Sequence, residues 1–169
     1  VTYIGNGVAN TKISGVGFSP DLVWMKERTG ANVHQLTDSV RGPLKALSSN
    51  STAAENTFDS IRAFDTDGFT IGTSAATNGS GSSYVGWCWD AGSSTVSNTD
   101  GSITSSLRAN PAYGFSIVTY TGNGTAGATI GHGLGAAPSM FIIKRRTAAN
   151  SWITYHQSSG AAKMQLLDS

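Results

Sequence analysis

Apolar positions along the chain come in short runs, separated by polar and glycine-rich turns. Residues 22–25, Leu22-Val23-Trp24-Met25, are apolar on both faces, and so are Met140-Phe141-Ile142-Ile143. Runs of this kind predict central strands covered on both sides. Each is followed by a turn and a returning strand, at residues 33–37 and 151–155. Residues 84–90 alternate, placing Val85, Trp87 and Trp89 on one face and Tyr84, Gly86 and Cys88 on the other. Further strands are predicted at residues 1–4, 11–13, 44–47, 61–64, 69–72, 102–108 and 115–120. Gly5-Asn6-Gly7 and Asp65-Thr66-Asp67-Gly68 read as turns. One helical turn is predicted through Ala53-Ala54-Glu55, and residues 74–83 read as a loop. Short strands at roughly ten-residue spacing predict an all-β fold, an antiparallel β-sandwich of lectin-like or jelly-roll type.

The pattern occurs twice. Thr2-Tyr3-Ile4-Gly5-Asn6-Gly7 returns as Thr119-Tyr120-Thr121-Gly122-Asn123-Gly124, and Ile13 answers Ile130, an offset of 117 residues. One inserted residue makes the offset 118. Gly15-Val16-Gly17 then matches Gly133-Leu134-Gly135, Pro20 matches Pro138, and Lys26-Glu27-Arg28-Thr29 matches Lys144-Arg145-Arg146-Thr147. Ala31-Asn32, Gly42, Lys45 and Ser51 continue the series to Ala149-Asn150, Gly160, Lys163 and Ser169. A fixed period sets the architecture. It predicts a tandem repeat: a first sandwich unit at 1–92 with its N-terminal strand cut short, a linker with strand character at 93–113, and the first half of a second unit at 114–169. The phase predicts a segment of a longer array, cut at both ends. Half a sandwich leaves an apolar face that includes Phe141 or Ile142 and Ile143. Either the chain that follows or a neighbouring subunit must cover that face, and the expectation is an oligomer with residues 118–169 at an interface.

Composition narrows the function. Charged residues are 12% of the 169, the net charge is +1, and no basic run exists. Nucleic acid and anionic membrane thus lack an electrostatic footprint. No apolar run approaches the length of a membrane span. Cys88 is the single cysteine, which rules out an internal disulfide and a Cys-rich zinc site.

Candidate chemistry is sparse. Gly131-His132-Gly133-Leu134-Gly135 imitates a phosphate loop but lacks the Lys-Ser/Thr that such a loop requires. Asp65-x-Asp67-Gly68 and Asn98-x-Asp100-Gly101 carry part of a calcium-loop pattern without its terminal Glu; turn chemistry accounts for both. His34, His132 and His156 are scattered, and Asp38 stands where His156 stands in the second unit. No Gly-x-Ser-x-Gly elbow occurs, and Glu27 and Glu55 are the only glutamates, so the facing carboxylates of a glycosidase have no visible source. The expectation is no enzyme, no metal and no cofactor. Trp87, Trp89 and Trp152 are the candidates for stacking on sugar rings, against core packing as the competing role. Lys26, Arg28, Lys144, Arg145 and Arg146 end the two strongest strands, where charge guards an edge against aggregation.

Five pieces resemble a known family: the Tyr120-Thr121-Gly122-Asn123-Gly124 turn, the Gly133-Leu134-Gly135…Ala137-Pro138 segment, and the apolar strand ending in Lys144-Arg145-Arg146. The others are Trp152-x-x-Tyr155-His156 and Tyr84-Val85-x-Trp87-Cys88-Trp89. Together they resemble a tandem domain of unknown function found in marine phage and metagenomic virion proteins. The resemblance implies a lectin-like β-sandwich in a phage tail fibre or similar appendage, a structural role in the virion outside the cell. Its implied partners are other copies of itself or neighbouring virion proteins. A carbohydrate-binding module for host attachment, with a host surface glycan as partner, is the alternative. The family resemblance implies no catalytic or binding residues.

Overall fold

Strand β3 (Leu22–Glu27) alternates strictly between two environments: Val23, Met25 and Glu27 are buried, while Leu22, Trp24 and Lys26 are half-buried. A strand apolar on both sides needs a cover on each, and the fold supplies two different ones. In this computed structural model, which describes residues 1–168, β3 lies inside a six-stranded sheet ordered β1-β9-β3-β4-β5-β6. Its members are β1 (Thr2–Ile4), β4 (Gln35–Asp38), β5 (Lys45–Ser48), β6 (Asn56–Thr57) and β9 (Ser83–Trp89). On one face lies a three-stranded sheet of β2 (Thr11–Ser14), β8 (Gly68–Ile71) and β7 (Ile61–Asp65). The core between them joins Val23 and Met25 to Ile13, Ile61, Phe69 and Ile71. Each of these side chains contributes roughly 1.5–3 kcal/mol by leaving water. The chain is all-β, and its strand ladders are antiparallel, a sandwich-like arrangement around residues 1–89.

Two further sheets follow. β10 (Val96–Asn98), β11 (Ser105–Asn110) and β12 (Phe115–Tyr120) form one, and β13 (Met140–Ile143), β14 (Ile153–His156) and β15 (Gln165–Leu166) the other. Residues 93–113 thus carry two strands that pair onward into β12. The β3-β4-β5 meander pairs Leu22 with Asp38, Trp24 with Leu36 and Leu36 with Leu47. The β13-β14-β15 meander pairs Met140 with His156, Ile142 with Thr154 and Thr154 with Gln165. Adding 118 to every number of the first set gives the second. Gly7, Gly15, Gly17 and Gly42 have positive φ, and so do Gly124, Gly133, Gly135 and Gly160. The match of Ser51 to Ser169 lies outside the described residues.

Burial separates the two meanders. Val23 and Met25 are fully buried, whereas Phe141 and Ile143, at the corresponding positions, are 41% and 38% exposed. The β13-β14-β15 meander instead helps cover the second face of the six-stranded sheet. Trp152 packs with Leu36 and Leu47, flanked by Leu22, Trp24 and Leu167. Its indole N–H donates to the carbonyls of Ser48 (2.9 Å) and Ser51 (3.1 Å).

Ions reinforce this junction. The buried Arg41 guanidinium donates to Asp38 (2.5 Å), to the Leu36 carbonyl (3.0 Å) and to Glu55 (3.0 Å). Glu55 in turn accepts two bonds from Arg146, both 2.9 Å. The fork of a guanidinium suits this double contact. Lys144 donates to the Thr52 carbonyl at 3.1 Å. Lys144 and Arg146, expected at a solvated strand end, are therefore part of a contact across 91 to 92 residues.

Two local expectations need correction. Residues 53–55 form no helical turn, because the Glu55 amide donates to the Arg146 carbonyl at 2.9 Å, a tertiary bond that competes with local winding. The short helix is α1 (Ala75–Asn78), inside the expected loop. It is fixed by Asn78, fully buried, whose side chain accepts from Asn6 N (2.9 Å) and donates to the carbonyls of Val8 (2.9 Å) and Gly72 (2.7 Å).

Replacing Trp152 with Ala should remove about 3–5 kcal/mol from the junction. Urea unfolding followed by tryptophan fluorescence should then resolve residues 140–168 as an earlier transition, separate from the 1–89 sandwich. A single transition with an unchanged midpoint would contradict this packing.

Acid provides a second check. Burial raises the Glu55 carboxyl, but Arg146 and Arg41 outweigh it and hold the carboxyl below its ordinary range. A depressed folded-state pKa stabilises above the unfolded value, and that stability is lost as pH falls through the folded pKa. Glu55→Gln should cost about 1.5–3 kcal/mol at pH 7 and flatten the loss of stability below roughly pH 4, measured by urea midpoints across pH.

Candidate functional site

Asp21, just before β3, is 2% exposed and needs donors. It receives the Ala91 amide at 2.8 Å, the Ser39 hydroxyl at 2.7 Å and the guanidinium of Arg108 from β11. Arg108 also donates to the Ser93 carbonyl at 3.0 Å. This staple holds the β11–β12 hairpin beside the end of β9. There Phe115, the first residue of β12, stacks on Trp89 with ring centroids 6.0 Å apart and planes 22° from parallel.

The result is a cleft of about 360 Å3 lined by Gly17, Phe18, Cys88, Trp89, Asp90, Tyr113 and Phe115. Tyr113 is 75% exposed. Four rings with one carboxylate beside them suit a ligand with flat apolar faces and hydroxyl donors, the surface chemistry of a sugar ring. Asp90 already accepts from Gly92 N at 2.7 Å through one oxygen. Burial pushes the Cys88 thiol up, away from the thiolate that a nucleophile requires.

The three tryptophans singled out from the sequence are not brought together. Trp89 lines the cleft. Trp87, 47% exposed, meets Trp24 edge-on at 6.1 Å on the outer face of the six-stranded sheet. Trp152 is buried at the junction with its N–H engaged, so its ring faces are closed to a ligand. Phe18, Tyr113 and Phe115 were missed; the one local signal was aromatic residues beside the turns at Gly17 and at Pro111 to Gly114.

The remaining candidates resolve into turn chemistry. Asp67 accepts from the amides of Gly17 (2.6 Å) and Gly15 (3.0 Å), which hold its carboxyl below the usual range. Asp65 accepts from the Thr70 hydroxyl at 2.7 Å. Asn98 and Asp100 bond each other. His132 accepts from Leu134 N at 3.2 Å, His156 accepts from Ser158 N at 3.3 Å, and burial lowers His34. Gly131, His132, Gly133 and Gly135 line a shallow cleft of about 350 Å3 with Asp100, and irregular chain rather than a helix leads from them to β13. Among the described residues, no three His, Cys, Asp or Glu side chains gather as a metal site. No helix among them is long and apolar enough to cross a membrane.

Removing Arg108 leaves Asp21 buried without its cation, at a cost of about 3–5 kcal/mol. Arg108→Ala should release the β11–β12 hairpin. Trp89 emission should shift to the red, while the β2-β7-β8 core keeps its slow hydrogen exchange. Unchanged emission would show that Arg108 does not position the cleft.

Comparison with protein families matches the whole chain, residues 1–169, to a Domain of unknown function (DUF7483), and the chain belongs to that family. No curated protein and no solved structure matches it.

Proposed function

We propose that this member of the DUF7483 family is a non-enzymatic structural protein of a phage virion, a segment of a tail fibre or similar appendage built from tandem β-sandwich units. The observation that carries the reading is the meander whose pairing register recurs after 118 residues. A unit repeated with the same hydrogen-bond ladder, the same left-handed glycines and different polar side chains is spacing architecture. A reaction site copied with its unit would keep its polar side chains, yet Asp38 corresponds to His156 and Gln35 to Ile153. The virion setting comes from the sequence resemblance, and other copies or neighbouring virion proteins are the partners it implies.

A second reading, a lectin-like module for host attachment, is favoured by the cleft of Phe18, Trp89, Tyr113 and Phe115. The two coexist in one appendage, since a repeated scaffold can carry a ligand site at a junction.

Antibodies raised against the chain should label purified virus particles along an appendage under the electron microscope. Label confined to host-cell fractions would overturn the structural reading. Glycan-array binding that falls at least about tenfold with Trp89→Ala would establish the attachment role. Release of reducing sugar from a bound polysaccharide would contradict the non-enzymatic reading.

A further inference from the structure

We infer that residues 119–124 and the unpaired edge of β13 form a docking site for a closing segment of the type seen in residues 75–89, supplied by another unit of the same repeat. The inference rests on the repeat reading above.

Residues 1–89 contain the filled version of this site. The Tyr3 hydroxyl donates to the Thr77 carbonyl at 2.7 Å, and the Tyr3 ring stacks on Tyr84 at 5.2 Å. The Gly5 amide donates to the Ser82 carbonyl (2.8 Å), and the Gly81 amide donates to the Gly5 carbonyl (2.9 Å). The Gly7 amide donates to the Asn78 carbonyl at 2.9 Å. From there β9 runs between β1 and β3, pairing Val23 with Cys88 and Met25 with Gly86. Gly5 marks the closest approach: a Cβ there would stand 2.3 Å from the Gly79 carbonyl oxygen.

In the second copy the turn already has the same local shape. Asn123 Oδ1 accepts from Thr125 N at 2.9 Å, as Asn6 Oδ1 accepts from Val8 N at 2.9 Å. Gly124 has φ 75° against 71° at Gly7. Tyr120, the counterpart of Tyr3, is 40% exposed, and a Cβ at Gly122 meets nothing within 4 Å. Among the described residues β13 pairs on one side only, with β14, and all four of its residues are exposed. An apolar strand with an unpaired edge is a template for strand addition.

The occupant follows from the register. The closing segment at residues 75–89 is committed to the first site: Tyr84 is fully buried and β9 is paired on both sides. It cannot serve a second site without opening the first. A further unit's closing segment brings the same carbonyls to the 119–124 turn and the same small residues to β13. Phe141 then faces the Cys88 position and Ile143 the Gly86 position.

The test uses the full chain carrying Cys88→Ser and a synthetic peptide with the native sequence of residues 74–90. The expected result is a 1:1 complex by sedimentation. On oxidation, the peptide's cysteine should cross-link to a chain carrying Phe141→Cys and not to one carrying Ile142→Cys, because neighbouring side chains leave a strand on opposite faces. Gly122→Ala has open space and no left-handed φ, so its melt should match the parent, while peptide binding should weaken at least about tenfold. No complex, equal cross-linking at both positions, or binding indifferent to Gly122→Ala would overturn the inference. So would a dimer formed by exchange of the chain's own closing segments. Particle labelling with a failed cross-link would sink this inference alone, and a register-specific cross-link without labelling would sink the virion reading alone.

Discussion

The two-sided apolar character of β3 is the constraint on which the structure depends. A strand with Val23 and Met25 on one face and Leu22 and Trp24 on the other is unstable in any arrangement that leaves either face wet. The β2-β8-β7 sheet meets the first demand with a dry core. The second is met by Trp152 and Leu167, more than a hundred residues away in the chain. The outer face of one meander is therefore completed by the next, and the stability of residues 1–89 is coupled to residues that lie outside their own sandwich.

Polar chemistry follows the same logic. Two of the cations that follow β13, Lys144 and Arg146, find partners at the surface. Arg146 reaches Glu55, whose other partner is the buried Arg41, and Lys144 reaches a backbone carbonyl. A buried guanidinium is tolerable only when its donors are used, and Arg41 spends them on Asp38, Glu55 and two carbonyls. Likewise Asp21 is tolerable because Arg108, Ser39 and Ala91 converge on it. That convergence brings β12 to β9 and so creates the aromatic cleft. The cleft is a consequence of satisfying a buried carboxylate, which is why its rings come from three separate stretches of chain.

The chain belongs to a family of unknown function. In the role proposed above, the recurring ladder with unequal side chains serves as scaffold, and the rings around Trp89 would take a ligand with flat apolar faces. The Thr-Tyr-x-Gly-Asn-Gly motif gains a physical meaning from Asn78 and Gly79. It is the receptor for a closing segment, and glycine stands at position 5 because a carbonyl oxygen passes where a Cβ would be.

Local sequence determined the strands, their alternation and the repeated turns. Period-two burial is set by strand geometry itself, and a left-handed glycine is set by its own backbone; both are local properties. The face assignment in β9, with Tyr84 and Cys88 inward and Trp87 outward, was legible for that reason. Long-range partners were not. Nothing near Arg146 indicates Glu55, nothing near Trp152 indicates Ser48, and a helix was expected at residues 53–55 because their tertiary partner was invisible. The cleft was legible only as Trp89, since Phe18, Tyr113 and Phe115 become neighbours only when Arg108 reaches Asp21. Which apolar residues stay exposed was also decided by tertiary structure. Phe141 and Val23 occupy corresponding positions in the same ladder, and only the sheet packed against Val23 makes it core.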